Sequence, residues 1–439
     1  MTTFDQILPI ATEVLTAQRE LVTQLDWLVI NRDLNGRVRF IVPEQVEAHD
    51  EVRGQVQTLY ETLAGRIAPH DHPVESGLLY EAGRDEVCSG AASYPLEGFD
   101  KVWVVDRLAT EGNWANIAPE TEGAPRVVFF SIKGGVGRST ALAACAWKLA
   151  QQGKRVLVLD LDLESPGLSS NLLPQERQTM YGITDWLVED LVDNADGVMD
   201  GMVAMSGLSH DGEIHVVPAH GKNAGEYIAK LGRVWMPKIR SDGSREPWSA
   251  RLQRLLLALE ARIHPDIVLI DSRAGIDEVA SSCVTDLGAN LVLLFALNGS
   301  QTWSGYRILF DHWRRAGVAE RIRERLQIVA GLVPELEPAA YLTDLRERAY
   351  DLFLETLYDE IRSADTEGWN FDLANELAPH NPWFVRWHRG FAALRTLHGR
   401  LDAVDDGEIR NVFGDLIGRI VRYLGWGDGY PKVTDGGVL

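Results

Sequence analysis

The chain has 439 residues, 45% of them apolar, which is enough for two globular domains. Its 64 acidic and 43 basic residues give a formal net charge of −21, which argues against nucleic acid and anionic membranes over most of the surface. The three cysteines form no close pair and no apolar run could span a membrane or serve as an export signal, so we expect a cytoplasmic protein without disulfides, zinc or membrane anchor.

The first 122 residues form a predicted α+β module. We expect a helix over residues 5–25, a β-hairpin around Asn35-Gly36, a helix over residues 49–67 and a strand over residues 101–107. A polar segment at residues 119–125 marks the boundary, so the predicted domains are residues 1–122 and 123–439. The module is interpreted as a sensor or partner-docking unit. Asp106 and Arg107 form either a site or an ion pair at a strand end.

A glycine-rich turn lies between an apolar strand at residues 127–130 and a small-residue helix at residues 141–150. Such a turn directs successive backbone N–H groups and the positive end of the helix dipole at one place, as a polyphosphate requires. Turn or linker glycines are the alternative. The candidate nucleotide-binding residues are Lys133, Gly134, Gly135, Val136, Gly137, Arg138, Ser139 and Thr140.

Two further apolar strands end in carboxylates. The strand that starts at Arg155 ends in Asp160 and Asp162, and the strand that follows His264 ends in Asp271. Continuous apolar runs are typical of parallel strands covered on both faces. Open α/β sheets bind ligands where such strands end. Solvated acids that merely close a strand are the alternative.

The order of these three motifs resembles the ParA/MinD family of dimerising P-loop ATPases, in which a lysine precedes the glycine pair of the loop. Lys133 occupies that position, and Arg138 replaces the usual loop lysine, which indicates a variant branch with the motif Lys-Gly-Gly-Val-Gly-Arg. The resemblance covers about residues 125–300. It implies an α/β fold with a doubly wound, mostly parallel sheet, to which the N-terminal module is added.

The resemblance also implies roles for single residues. Lys133 would reach the phosphates of a second subunit, Asp162 would orient or deprotonate the attacking water, and the Gly275 amide would sense the γ-phosphate. Arg273 stands where proline is usual, and either reaches the phosphoryl charge or is a surface arginine in a turn. The implied catalytic residues are Lys133, Arg138 and Asp162, and the implied Mg²⁺ ligands are Ser139, Asp160 and Asp271.

In the family an asparagine near the end of a later strand reads the adenine edge. This chain has Ala330 and Gly331 at that place. A loop from Pro379 to Pro382 is a candidate replacement, with Pro379 as a cofactor-binding residue, and a surface turn is the alternative. By resemblance the cofactors are ATP and Mg²⁺, with ATP favoured over GTP.

The remaining segments predict partner surfaces and packing elements. We expect an amphipathic helix over residues 182–191, an exposed loop over residues 236–248, and a core-packing helix over residues 409–424. The basic segment 383–400 is interpreted as a helix whose arginines pair with acids, with a nucleic-acid groove as the alternative. The glycine-rich residues 426–439 lack the basic amphipathic helix of the family's membrane-bound members.

The sequence therefore predicts an ATP-hydrolysing switch that forms a homodimer around Mg·ATP and regulates a protein partner, with slow turnover because of Arg138. Nucleic acid is not expected as a partner. A very slow or non-hydrolysing nucleotide-binding scaffold in bacterial signalling or defence is the first alternative. A small-molecule kinase or ligase-type enzyme is the second.

Overall fold

The computed structural model of the protein describes residues 2–108, 112–360, 368–391 and 397–426. The chain forms two compact units, one of residues 1–116 with 315–318 and one of residues 117–314 with 319–439. The predicted glycine-rich terminus after Trp426 lies outside the described residues.

The first unit contains a five-stranded sheet whose order is β3-β2-β1-β5-β4. Its strands are β1 Leu28–Arg32, β2 Val38–Pro43, β3 Leu78–Glu81, β4 Ala92–Pro95 and β5 Val102–Asp106. Its helices are α1 Ile7–Ala17, α2 Arg19–Gln24, α3 Asp50–Ile67, α4 Val74–Gly77 and α5 Arg84–Cys88.

Local sequence signals account for much of this unit. The predicted hairpin is confirmed: β1 pairs antiparallel with β2, and Gly36 has a φ of 74° in the turn between them. The predicted helix over residues 5–25 is instead divided at Gln18 into α1 and α2. Helices α1 and α3 contribute their apolar faces to a core with strands β1, β2 and β5.

Asp106, at the end of β5, forms an ion pair with Arg32 at the end of β1, at 2.5 Å. It does not pair with Arg107, whose guanidinium donates to the Asn31 side chain and to the Val87 carbonyl. The interpretation of Asp106 as half of a strand-end ion pair therefore holds with a different partner, because β1 and β5 are parallel and bring residues 32 and 106 into register.

The second unit contains an eight-stranded sheet in the order β15-β14-β13-β6-β12-β7-β9-β8. All neighbouring strands are parallel except β8, which is antiparallel to β9. The strands are β6 Arg126–Ser131, β7 Arg155–Asp160, β8 Ala204–Met205, β9 Glu213–Val217, β12 Ile267–Ala274, β13 Leu291–Ala296, β14 Leu326–Val333 and β15 Trp383–Arg386. A separate small hairpin is formed by β10 Lys238–Ile239 and β11 Arg245–Glu246.

Helices cover this sheet and connect its parallel strands. They are α6 Arg138–Gln151, α7 Leu168–Leu172, α8 Ile183–Asp190, α9 Asp196–Met199, α10 Tyr227–Val234, α11 Trp248–Ile263, α12 Glu278–Ser281, α13 Ser300–Arg315, α14 Ala319–Ile322, α15 Pro338–Thr356, α16 Leu397–Ala403 and α17 Asp406–Tyr423. The predicted doubly wound, mostly parallel α/β fold is confirmed.

The packing follows from the apolar runs in the sequence. Strands β6 and β13 are buried at every position, because helices cover the sheet on both faces. The small side chains of α6 pack against these strands and against α17, whose residues from Ile409 to Ile420 lie in the same core. The predicted core-packing role of that last helix is confirmed.

Two predictions about the second unit are wrong. Residues 236–248 are not a plain loop, because they contain the hairpin β10–β11 and the start of α11. Residues 383–400 are not one helix, because Trp383–Arg386 pairs with β14 as the edge strand β15. Arg400 does pair with an acid, Glu408. Across the described ranges, the model contains no helix that is long and apolar enough to cross a membrane.

Candidate nucleotide site

The glycine-rich turn joins the end of β6 to the start of α6. Gly135 and Gly137 have φ values of 75° and 84°, in the left-handed region that strains any residue with a Cβ. Gly137 is the N-cap of the 14-residue helix α6, and its carbonyl accepts the first helical hydrogen bond, from the Ala141 amide at 2.9 Å. The turn thus carries the open N–H groups and the positive dipole end of α6 that suit an anion.

The side chains of the turn differ in exposure. Lys133 is exposed, as are Gly134 and Gly135, whereas Val136 is buried. Within the described residues, no ion pair or hydrogen bond is recorded for the Lys133 ammonium group. Ser139 and Thr140 are half-buried in the first turn of α6. A cation therefore stands at the rim of the turn, beside glycine backbone that a ligand can approach.

Arg138 is turned toward the ends of the neighbouring strands. Its Nε donates to Asp271 Oδ1 at 2.8 Å, and its Nη1 donates to Ser131 Oγ at 3.0 Å. Nη2 lies 3.6 Å from Asp162 Oδ2. The guanidinium is almost fully buried, so it acts as the local counter-charge for these carboxylates.

Asp160 and Asp271 occupy the same level of adjacent parallel strands, because β7 and β12 pair in that register. Both are buried. Asp160 Oδ2 accepts a hydrogen bond from the Ser169 amide at 3.2 Å, while Oδ1 has no partner among the described residues. Burial, followed by the charge of Asp271, raises the pKa of Asp160 to about 7. Burial also raises the pKa of Asp271, although Arg138 and Ser139 act in the opposite direction.

Asp162 lies two residues beyond Asp160, in the segment that follows β7. Its Oδ1 accepts hydrogen bonds from the Ser165 amide at 3.2 Å and the Ser165 hydroxyl at 2.9 Å. This fixes the turn around Glu164. The three carboxylates thus meet at the carboxyl edge of the sheet, next to the glycine-rich turn, as the sequence predicts. The contacts of Arg138 with two of them are not predicted, because the sequence places Arg138 on the phosphates.

The donor set suits Mg²⁺. The unpartnered Asp160 oxygen, the Asp271 carboxylate and the Ser139 hydroxyl are all hard oxygen ligands. No group of three or more His, Cys, Asp or Glu side chains in the described part of the chain is arranged to hold a metal by itself.

The segment after Asp271 is tied to the segment after Asp162. Arg273 Nη2 lies 2.5 Å from Glu164 Oε2, and Nη1 lies 2.9 Å from Asp277 Oδ2. Arg273 is thus engaged with carboxylates in this structure. The Gly275 amide donates to the Ser131 carbonyl at 2.9 Å, so here it is occupied by the backbone of β6 rather than open to a phosphate.

The structure does not bring Pro379 to the glycine-rich turn. Pro379 precedes β15, is buried, and its carbonyl accepts from the Ile328 amide at 3.0 Å, three residues before Gly331 on β14. The residue that follows β15 at the carboxyl edge is Trp387, whose amide donates to the Val333 carbonyl at 2.8 Å. The assignment of Pro379 to the cofactor is therefore not supported. The loop lies at the amino end of β15, whereas the glycine-rich turn lies at the carboxyl edge of the sheet.

Gly331, by contrast, lies against the turn. A Cβ at this position would stand 2.4 Å from the Val136 carbonyl oxygen. A larger residue could not occupy position 331 without moving the turn, so Gly331 serves packing, and the sequence reasoning about base recognition did not find this contact. Ser131 was also not predicted, although its hydroxyl accepts a hydrogen bond from Arg138. The fact that Ser131 is the last residue of β6 could have indicated it.

These features define a P-loop nucleotide-binding protein: a glycine turn between a central parallel strand and a helix, with carboxylates at the ends of the adjacent strands. Residues 127–359 match the CobQ/CobB/MinD/ParA nucleotide binding domain family, which covers more than half of the chain. The chain belongs to this family, and the predicted membership of the ParA/MinD group of P-loop proteins is confirmed.

A curated relative covers a smaller part. The putative arsenical pump-driving ATPase 1 of Aquifex aeolicus is 40% identical over 67 residues, which is 15% of this chain and 17% of that protein. The match thus spans well under two thirds of the relative's length.

Two solved structures resemble this one in part. The structure of pNOB8 ParA bound to nonspecific DNA has a TM-score of 0.42 and 17% identity, covering 69% of this chain and 98% of that chain. The MinD cell division protein of Aquifex aeolicus has a TM-score of 0.41 and 16% identity, covering 70% of this chain and 99% of that chain. The expectation that nucleic acid is an unlikely partner stays a prediction from the charge of the sequence.

Proposed function

We propose that this protein is an ATP-binding switch, which dimerises around Mg·ATP, hydrolyses ATP slowly and thereby changes its hold on a protein partner. The observation that carries this proposal is the meeting of Asp160, Asp162 and Asp271 with Arg138 beside the open glycine turn. The Arg138 guanidinium contacts two of these carboxylates, Asp271 and Asp162, and Asp160 Oδ1 has no partner among the described residues. Such an excess of buried negative charge is costly unless a proton or a cation neutralises it, and the adjacent glycine turn favours a cation bound with phosphate.

The proposed phosphate interactions follow from the turn. Its N–H groups and the amino end of α6 would bind the phosphates. Lys133 is exposed and has no recorded carboxylate partner within the described residues, so its ammonium can reach outward to the phosphates of a second subunit. A lysine that precedes the glycine pair has no evident role in binding phosphates at its own turn.

Ser139, Asp160 and Asp271 would hold Mg²⁺, which when bound neutralises phosphate charge. Asp162 would orient or deprotonate water, because it is the least buried of the three acids. Its Oδ1 is held by Ser165, which leaves Oδ2 for the water once Arg138 has moved.

Arg138 sets the expected rate. In this structure its guanidinium is bound to Asp271 and Ser131 and lies near Asp162. To contact a phosphate it must give up part of this network. A planar, bidentate guanidinium can bind ground-state phosphates firmly without following the charge that develops in the transition state. We therefore expect firm ATP binding and slow basal turnover.

The test measures molecular mass by light scattering with Mg²⁺ and an unhydrolysable ATP analogue. Wild type should shift toward twice its monomer mass of 48.8 kDa. Lys133→Ala should bind the analogue and stay monomeric, with the exposed Lys222→Ala as the matched control. A monomer at saturating nucleotide, or a dimer that ignores nucleotide, would contradict the proposal.

A second candidate is a nucleotide-binding scaffold without hydrolysis. The contact of Arg138 Nη2 with Asp162, at 3.6 Å, favours it, because a guanidinium that stays there blocks the proposed base. Steady-state phosphate release separates the two functions. Release over many turnovers supports the switch, and release of no phosphate with full ATP binding supports the scaffold.

A further inference from the structure

The segment between β9 and α11, residues 218–247, is a built part of the surface rather than a loose connection. It contains α10 and the hairpin β10–β11. Lys238 pairs with Asp190 at 3.1 Å and with Asp193 at 2.6 Å. Arg251 donates to the Met236 carbonyl at 2.6 Å. These bonds fix the segment to α11 and to the end of α8.

The outward side of this segment carries large apolar side chains. Ile228 is 87% exposed, Ile239 is 64% exposed and Met236 is 54% exposed. An open groove of about 660 Å³ lies between α10 and the hairpin. We call it the α10 groove; its lining includes Leu191, Gly232, Arg233, Met236, Pro237 and Ile239. Grouped exposed apolar side chains of this kind are typical of a protein-binding surface.

The segment that forms most of the groove is itself basic, although several of its cations pair with acids such as Asp190 and Glu246, and Arg233 is the one that matters here. Residues 222–246 contain six Lys or Arg and three Asp or Glu, in a chain with a net charge of −21. The exposed Arg233 donates to the Ala229 carbonyl of its own helix at 2.7 Å. Within the described ranges no carboxylate is recorded against Arg233. A complementary partner would bring an acidic group to Arg233 and an apolar side chain to the groove.

The groove is connected to the candidate catalytic segment by one side chain. The hydroxyl of Tyr227, the first residue of α10, donates to the Leu163 carbonyl at 2.6 Å. Thr184 Oγ1 donates to the same hydroxyl at 3.4 Å. Leu163 immediately follows Asp162. A shift of α10 therefore acts directly on the backbone that carries Asp162.

We propose that the α10 groove binds an acidic protein segment with a large apolar side chain, and that this binding changes the Asp162 segment through Tyr227. The proposed binding of the acidic segment depends on the groove alone, whereas the proposed effect on the Asp162 segment rests on the proposed function. A protein segment is favoured over nucleic acid because Lys238 and Arg240 are already paired, with Asp190 and Glu246. A phosphate backbone needs a row of available cations, not an apolar groove.

The binding test selects twelve-residue peptides from a random displayed library on the full-length protein. A groove variant, Arg233→Glu with Ile239→Ser, is compared with a matched control, Ile308→Ser with Arg314→Glu, which changes an exposed isoleucine and an exposed arginine on α13. Peptides that bind wild type and control but not the groove variant should be enriched in Asp or Glu together with a large apolar residue. Arg233→Ala provides a milder variant if the double variant fails to fold.

The enriched peptide is then synthesised and its affinity is measured by fluorescence anisotropy. We expect the groove variant to weaken binding at least tenfold and the control to leave it within about twofold. Enrichment of basic peptides, or of none that depend on the groove, overturns the proposal. So does groove-dependent binding of a random-sequence DNA duplex or of phosphatidylglycerol vesicles in place of the acidic peptide.

The connection to Asp162 is tested by hydrogen exchange of residues 161–168 with and without the peptide. Exchange should change at least threefold in wild type, and not in Tyr227→Phe, which should still bind the peptide. An equal response in Tyr227→Phe, or none in wild type, overturns the connection. This readout needs no hydrolysis, so its result is distinct from a failure of the proposed ATPase activity, which is measured by phosphate release from the same samples.

Discussion

Each unit of this protein has a pair of parallel strands that bring two charged residues into register at their carboxyl ends. In the first unit, Arg32 faces Asp106 and makes two hydrogen bonds to it at 2.5 Å. In the second unit, Asp160 faces Asp271, and Asp271 is the one of these two carboxylates that Arg138 contacts. The same topology thus holds a neutral pair in one unit and an excess of negative charge in the other.

This difference supports our proposal that the cluster of the second unit is the functional site. The Arg32–Asp106 pair has its charges balanced, and Tyr94 adds a further hydrogen bond to the guanidinium at 3.0 Å. Asp160 retains a buried oxygen without a partner in the described part of the chain. A buried carboxylate without a counter-charge takes up a proton, as the raised pKa of Asp160 indicates, or a cation, and its place beside the glycine turn is what makes us propose a bound cation.

The largest expected difference is between two Asp-to-Asn changes. Asp106→Asn leaves the buried Arg32 without a counter-charge and should reduce the free energy of unfolding by about 3 kcal/mol. Asp160→Asn removes a charge that has no cation of its own, so stability should be unchanged or higher while Mg²⁺-dependent ATP binding is lost. Urea unfolding followed by fluorescence measures the free energy of unfolding of both variants, and nucleotide titration measures ATP binding. Equal destabilisation by the two changes would show that both clusters are structural.

Asp162→Ala changes the carboxylate that we propose to act on water. We expect hydrolysis to fall by about 100-fold or more, as for the loss of a general base, while ATP affinity stays near that of wild type. Phosphate release and nucleotide titration measure the two quantities. Exposed Asp196→Ala on α9 is the control. Hydrolysis at the wild-type rate would exclude Asp162 as the residue that acts on water.

Arg138→Lys tests the cation of the same cluster. A compact ammonium group can follow the γ-phosphate, so hydrolysis should rise or stay unchanged. The measurement is steady-state phosphate release at saturating ATP. A loss of about tenfold or more, roughly 1.4 kcal/mol of transition-state stabilisation, would instead show that Arg138 is itself adapted for catalysis.

Asp190 is another buried carboxylate, and, like that of Asp106, its charge is balanced by paired cations. Burial raises its pKa, but hydrogen bonds from Arg254, Arg251 and Lys238 outweigh this, so the pKa lies below its ordinary value. A depressed pKa stabilises the fold above the unfolded-state pKa of about 4, and this contribution is lost as the pH falls through the folded-state pKa. The difference in unfolding free energy between wild type and Asp190→Asn should therefore narrow by about 1 kcal/mol between pH 7 and pH 3. A difference that does not depend on pH would contradict this.

The smallest effect is expected at Arg273. Its ion pairs with Glu164 and Asp277 are partly exposed, and such pairs contribute about 0.2–1 kcal/mol. Arg273→Gln should change ATP affinity and turnover by no more than a few-fold. A loss of turnover of 100-fold, with affinity kept, would show that Arg273 leaves these acids and contacts the phosphoryl group.

Much of the nucleotide-binding unit was predictable because its signals are local. The apolar strands, the glycine turn and the acids at the strand ends fix β6, β7, β12 and the identity of the clustered residues. Membership of the nucleotide-binding family was predictable from the same motifs. The Asn35-Gly36 hairpin of the first unit was predictable because only a left-handed φ closes that turn.

What could not be predicted depends on contacts between distant parts of the chain. The partner of Asp106 is Arg32, 74 residues away, which strand pairing alone decides. The position of Pro379 depends on where β15 joins the sheet, and a short edge strand has little periodicity to reveal it. Leu163 lies next to the Asp162 motif, whereas Tyr227 lies in a segment without a motif. No sequence pattern therefore predicts the contact between them.

The central claim is that the unbalanced carboxylates and the glycine turn form one Mg·ATP site, and calorimetric titration with ATP tests it most directly. Wild type should bind one ATP per chain with Mg²⁺ and at least tenfold more weakly with EDTA, and Asp160→Asn should lose this metal dependence. Absence of ATP binding at saturating concentration, or binding that is equal with Mg²⁺ and EDTA in both proteins, would contradict the account.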